Sequence, residues 1–221
     1  MMNELKNTTK IEYLFFTVLL VFCSYGLFLG LTNMDRFLIF TQEDGLVENL
    51  TSLFLFGASV VCLYRVYEFR KNKKPVLWIF TAVLMAIAFF FAAGEEISWG
   101  QRIFGIESSE FFLQNNKQAE TNLHNLVVGK TSINKLIFSQ ILVLVLVIYF
   151  FFMRLLVSKV AFIRNLEQKF NVPLPRVQHT AMMVLIAIMM AFIPNAKNAE
   201  LLEMTFAFIF FLIFINPANI D

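Results

Sequence analysis

Long apolar runs separated by short polar segments set the pattern of this chain. Six candidate runs stand out, at Ile11–Leu31, Leu50–Phe69, Pro75–Ala93, Leu136–Met153, His179–Pro194 and Leu201–Asn216. A bilayer core about 30 Å thick takes roughly 20 helical residues to cross, so the first four are full-length candidates and the last two are short. Lys6 and Lys10 precede the first run as in a signal peptide, but its apolar stretch is too long and no small-residue cleavage site follows, so it reads as a retained helix. The expectation is an all-α, polytopic helical membrane protein. It has about six transmembrane helices plus an outer-face interfacial or re-entrant helix, in a single integral membrane domain over residues 1–221.

Composition strengthens this reading: 58% of the 221 residues are hydrophobic and 28 are Phe, well above the apolar share of a soluble domain. The formal net charge of only +2 conceals a strong asymmetry. Arg70, Lys71, Lys73 and Lys74 cluster after the second run, with Arg65 inside its end close enough to snorkel, and Arg154, Lys159, Arg164, Lys169 and Arg176 follow the fourth. By the positive-inside rule both segments, and both termini, are cytoplasmic. The acids Asp35, Glu43, Asp44, Glu48, Glu95, Glu96, Glu107, Glu110, Glu120, Glu200 and Glu203 then fall outside. Basic clusters at membrane edges need no nucleic acid to explain them. Cys23 and Cys62 lie within apolar runs and act as small hydrophobes.

One stretch breaks the pattern. Residues 94–126 open with GEEISWGQRIFG and close with NNKQAETNLHNL, and the segment from Gly94 to Lys135 is too long for a plain connection. If the preceding helix continues, Glu95, Ser98 or Trp99, and Arg102 share a stripe. A polar helix is expected over Glu110–Val127, with Asn115, Gln118, Asn122 and Asn125 on one face and Glu120 and His124 at i and i+4 on the next. MDRFLIF reads as interfacial and QEDG as a turn into the next helix, whose entry carries Glu48. After the fourth run, RLLVSKVAFIRNLEQKF places Leu156, Val160, Ile163, Leu166 and Phe170 on one side, an amphipathic pattern suited to anionic headgroups.

The outer-face groups define the candidate chemistry. Glu95, Glu96, Arg102 and His124 are candidate catalytic residues, with a carboxylate as general base and the Arg as anion clamp. Trp99, Gln101, Asn122 and Asn125 are candidate substrate contacts. Glu48, Glu96, Glu120 and His124 could bind a divalent cation. His179 lies at the cytoplasmic start of the fifth run, away from His124, and reads as an interfacial residue, which disfavours a zinc site. No phosphate loop, dinucleotide fingerprint or CxxC pair occurs.

With EDGLVE upstream and NLHNL downstream of GEEISWGQR, the chain resembles a group of bacterial multi-spanning membrane proteins of uncharacterised function. That resemblance implies a bacterial inner-membrane location and no activity. ENLTSLF is weakly similar to the helix entry of alkaline-ceramidase-like membrane hydrolases. Those place a histidine pair on a late helix where this chain has only His179, so no catalytic residue carries over. Three readings stand open. One is a hydrolase or transferase acting on a lipid or lipid-linked substrate at the outer interface. The others are an ion-coupled transporter and a non-enzymatic binding or assembly module.

Overall fold

The computed structural model describes residues 2–123, 126–128, 131–132 and 142–219. Helices account for nearly all regular structure: α1 (Met2–Thr32), α2 (Met34–Phe40), α3 (Leu46–Lys71), α4 (Val76–Glu96), α5 (Gln101–Phe104), α6 (Glu110–Asn115), α7 (Leu142–Val147), α8 (Met153–Lys159), α9 (Ala161–Phe170), α10 (Val177–Ala191) and α11 (Asn198–Ile215). A π-helical turn, Ile148–Phe152, joins α7 to α8, and Val127–Val128 pairs antiparallel with Thr131–Ser132. The chain divides into two compact units, residues 1–61 with 173–221, and residues 62–172.

Among the described residues, four helical stretches are long and apolar enough to cross a membrane: Lys10–Thr32, Leu46–Lys71, Val76–Glu96 and Asn198–Ile215. The expectation of about six spans is therefore met only in its coarser form. Residues 136–141 of the fourth apolar run lie outside the described residues, and its remainder enters a bent pair, Leu144–Lys159 and Ala161–Phe170, whose axes meet at 109°. The fifth, Val177–Ala191, has 15 residues and measures about 22 Å at 1.5 Å per residue, short of the hydrocarbon core. The amphipathic segment after the fourth run is also split. Its first part continues the apolar helix as α8, the chain becomes extended at Val160, and α9 starts afresh. Arg164 secures the break by donating from Nε and Nη2 to the carbonyls of Val157 (3.0 Å) and Ser158 (2.6 Å), two acceptors left over at the end of α8.

In the first unit α11 is the central helix. Leu201, Met204, Thr205, Phe208, Ile209, Leu212 and Ile213 are all buried on it. Close approach depends on glycines facing bulky side chains, the usual device where lipid supplies no hydrophobic drive. A Cβ on Gly26 would lie 2.6 Å from Leu201 Cδ1, and one on Gly30 would meet three Ile193 carbons at 2.8–3.2 Å.

At the other end of α1 a polar knot joins three helices. His179, which the sequence suggests is an interfacial residue, is fully buried within the protein, and both of its ring nitrogens are engaged. Nδ1 accepts the Arg176 backbone N–H at 3.1 Å, closing the first turn of α10, so the ring proton sits on Nε2, 3.0 Å from Glu12 Oε1. Asn216, at the end of α11, donates to Glu12 Oε2 at 3.0 Å and accepts from Arg176 Nη2 at 2.5 Å. Each polar group removed from water thus meets a partner.

Replacing Gly30 with Val should destabilise the protein by about 1–3 kcal/mol, the range for overpacking a filled contact. Thermal unfolding in detergent, followed by circular dichroism, reads this as a lowered midpoint.

Candidate functional site

The polar stretch that interrupts the apolar pattern folds within the second unit as a clasp between residues 94–102 and 116–123. It begins where α4 stops. After Glu96 the backbone turns left-handed at three successive residues, Ser98 (φ 46°), Trp99 (φ 56°) and Gly100 (φ 73°). Positive φ is free only for glycine and costs on the order of 1 kcal/mol or more elsewhere, so side-chain contacts must hold Ser98 and Trp99 there. Those contacts are specific. The Trp99 indole Nε1–H donates to Glu95 Oε1 at 2.8 Å, and its ring sits edge-on to Phe91 with centroids 5.4 Å apart. Gly94 makes room, since a Cβ there would lie 2.7–2.9 Å from the ring. In GEEISWG, then, Gly94 admits the indole, Glu95 accepts its N–H hydrogen bond and Gly100 completes the turn.

The second strand of the clasp comes from residues expected to be helical. The helix from Glu110 ends at Asn115, and the amide stripe over Asn115, Gln118 and Asn122 does not form. Asn116 stops it. Its Oδ1 accepts the backbone N–H groups of Gln118 (2.9 Å) and Glu120 (3.3 Å), its Nδ2 donates to Asn122 O and Oδ1 (both 2.9 Å), and Ala119 adopts φ 58°. An Asn side chain that captures nearby amides competes directly with the helical ladder.

Each strand then answers the other's carboxylate. Glu95 Oε2 accepts the Leu123 backbone N–H at 2.5 Å. Glu120 Oε2 accepts from the Ser98 hydroxyl at 2.5 Å and from Asn122 Nδ2 at 3.2 Å, while Asn122 Nδ2 also reaches Ser98 Oγ at 2.8 Å. Arg102 forms an ion pair with Glu120 Oε1; its side chain is 48% exposed against 8% for Glu120. Gln101 links the flanking loop, donating to Ser108 Oγ at 2.6 Å and accepting the Thr121 N–H at 2.8 Å.

No protein-family model, curated protein or solved structure matches the chain.

The expected site residues therefore divide. Glu95, Trp99, Gln101, Arg102, Glu120 and Asn122 come together in the clasp. Glu96 ends α4 half-buried. His124 and Asn125 lie outside the described residues. Glu48 belongs to the first unit, in the first turn of α3, where its carboxylate accepts the Asp44 backbone N–H. There Lys197 Nζ bridges Glu43 Oε1 (3.3 Å) and Glu200 Oε1 (3.0 Å), and Glu48, Glu200 and Glu203 are close enough to repel one another. Burial works to lower the Lys197 pKa, but the hydrogen bonds and charges of Glu200 and Glu43 outweigh it and raise the group. Among the described residues no three His, Cys, Asp or Glu side chains are grouped to hold a metal ion. Sequence reasoning placed Ser98 on the Glu95–Arg102 stripe without a role and passed over Asn116. Ser98 carries no motif of its own, whereas the Asn115–Asn116 pair is a turn signal that helical spacing masked.

In a Trp78→Phe background, which leaves Trp99 as the only tryptophan, Glu95→Gln should red-shift the emission and cost about 1 kcal/mol, because one part-buried N–H donor loses its acceptor. Lys197 makes a separate pH prediction. Its raised folded pKa means that its contribution is complete below the unfolded lysine value of about 10.4 and lost as pH rises through the folded value. Lys197→Gln should therefore melt below wild type at pH 7, with the gap closing at pH above the lysine range.

Proposed function

We propose that the protein is a multi-spanning membrane protein of the bacterial inner membrane with cytoplasmic termini, and that the clasp, on the outer face, acts as a hydrolase or transferase on a lipid or lipid-linked substrate. The observation that supports this most is the Ser98–Glu120 hydrogen bond at 2.5 Å, a hydroxyl facing a carboxylate that is itself oriented by Asn122 and Arg102. A nucleophile, a base and an orienting group are the parts that covalent catalysis needs. Ser98 passes its proton to Glu120 as Oγ bonds to the acyl carbon or phosphorus. The leaving alcohol takes that proton back, and water or a second alcohol resolves the intermediate. An anionic headgroup that draws Arg102 away from Glu120 would free the base as the substrate arrives. Glu95 then acts as the strut holding Trp99 and Leu123, not as the base.

The alternative of a binding or assembly module is favoured by one fact: both Glu95 oxygens are engaged inside the clasp, as a rigid recognition loop requires. Proteoliposomes made with radiolabelled bacterial lipid extract separate the two. The enzyme reading expects lipid turnover that falls about 100-fold or more in Ser98→Ala and in Glu120→Gln, the scale for loss of an acid–base group. No turnover by wild type above protein-free liposomes would leave the binding module, and turnover undiminished in folded Ser98→Ala would remove Ser98 as the nucleophile.

A further inference from the structure

A second functional surface lies in the same unit, formed by the connection between α3 and α4 together with α9. Arg70, Lys71, Lys73 and Lys74 are all exposed on the connection, and Arg164 and Lys169 on α9. Trp78 joins the two pieces: its Nε1–H donates to Gln168 O at 3.0 Å and its ring meets Phe69 at 5.6 Å. Lys74 Nζ lies 5.2 Å above that ring and Lys71 Nζ 5.9 Å above Tyr67, so these cations are held against aromatic faces and not spread at random. The acids of these segments do not offset them on the surface. Glu167 is buried and Glu68 is half-buried, accepting from Asn72 at 3.4 Å.

The geometry of α9 selects the occupant. It leaves the preceding helix at 109°, so if that helix runs along the membrane normal, α9 lies close to the membrane plane. Ile163, Glu167 and Phe170 form its inner, half-buried to buried stripe, while Phe162 (68% exposed), Leu166 and Lys169 form an outer one. An in-plane helix with apolar side chains directed outward and cations beside them fits a headgroup–acyl boundary. An acidic protein segment would not need Phe162 exposed in this way.

We infer that the α3–α4 connection and α9 form a docking surface for anionic phospholipid headgroups. The inference rests on the membrane-spanning reading but not on the chemistry of the clasp. The test uses full-length protein reconstituted in phosphatidylcholine, with spin-labelled phosphatidylglycerol or spin-labelled phosphatidylcholine as probe. The motionally restricted fraction should favour phosphatidylglycerol several-fold in wild type and at low salt, and the preference should fall towards unity in Lys73→Gln/Lys74→Gln/Lys169→Gln and in 1 M NaCl. Each charge near a membrane surface contributes roughly a fivefold factor, reduced here by competition among neighbouring lipids. Lys197→Gln, which removes a charge from the first unit, and Ser98→Ala, which disables the clasp, should keep the full preference. Equal association of the two lipids with wild type, or a preference retained by the folded triple variant, would overturn the inference. Association with polyglutamate but not with phosphatidylglycerol would overturn it in favour of an acidic protein partner.

Discussion

Two carboxylates buried beside the end of an apolar helix impose the constraint on which the second unit depends. Neither Glu95 nor Glu120 can be removed from water without replacing its hydration, and neither finds enough donors in its own segment. The chain solves this by crossing: the first strand's carboxylate takes an amide from the second, and the second's takes a hydroxyl and a guanidinium from the first. The left-handed turn at Ser98 and Trp99, the early end of α4 and the interruption after Asn115 all follow from bringing these groups within reach. The backbone strain is thus tied to polar satisfaction, and the two stand or fall together.

The first unit meets the same constraint with different parts. Glu12 lies near the start of an apolar helix, and it is served by a histidine and an asparagine from two other helices, with Arg176 oriented by the asparagine. Besides this knot and the Lys197 bridge to Glu43 and Glu200, the unit is closed by apolar packing around α11, with glycines where α1 approaches. One unit thus ties helix ends together with side chains, and the other ties loop strands.

Hydropathy made the apolar architecture legible, since a run such as Pro75–Ala93 has no other way to bury itself than as a long helix. Where it misled, the reason was local. The amphipathic segment after the fourth run breaks at Val160, and no proline or glycine marks the place. The polar stretch was recognisable as a site because carboxylates, Trp and Arg there interrupt an otherwise apolar chain. Its internal geometry was hidden, because helical spacing places Asn116 and Asn122 on a helix face, whereas one Asn side chain gathering two backbone amides outweighs the propensity of the residues around it. The Glu12–His179 contact spans 167 positions and leaves no periodic trace.

The crossing of the clasp also fixes an order in time. The acceptor on Glu95 is synthesised 28 residues before the amide of Leu123 that fills it. At ordinary elongation rates of about 5–20 residues per second, the end of α4 waits on the order of a few seconds for its partner. Through that interval Glu95 can draw on the nearby Trp99 indole, but its second oxygen still lacks the Leu123 amide. Closure of the clasp is therefore a later step than formation of the body of α4, which is among the most strongly apolar parts of the chain.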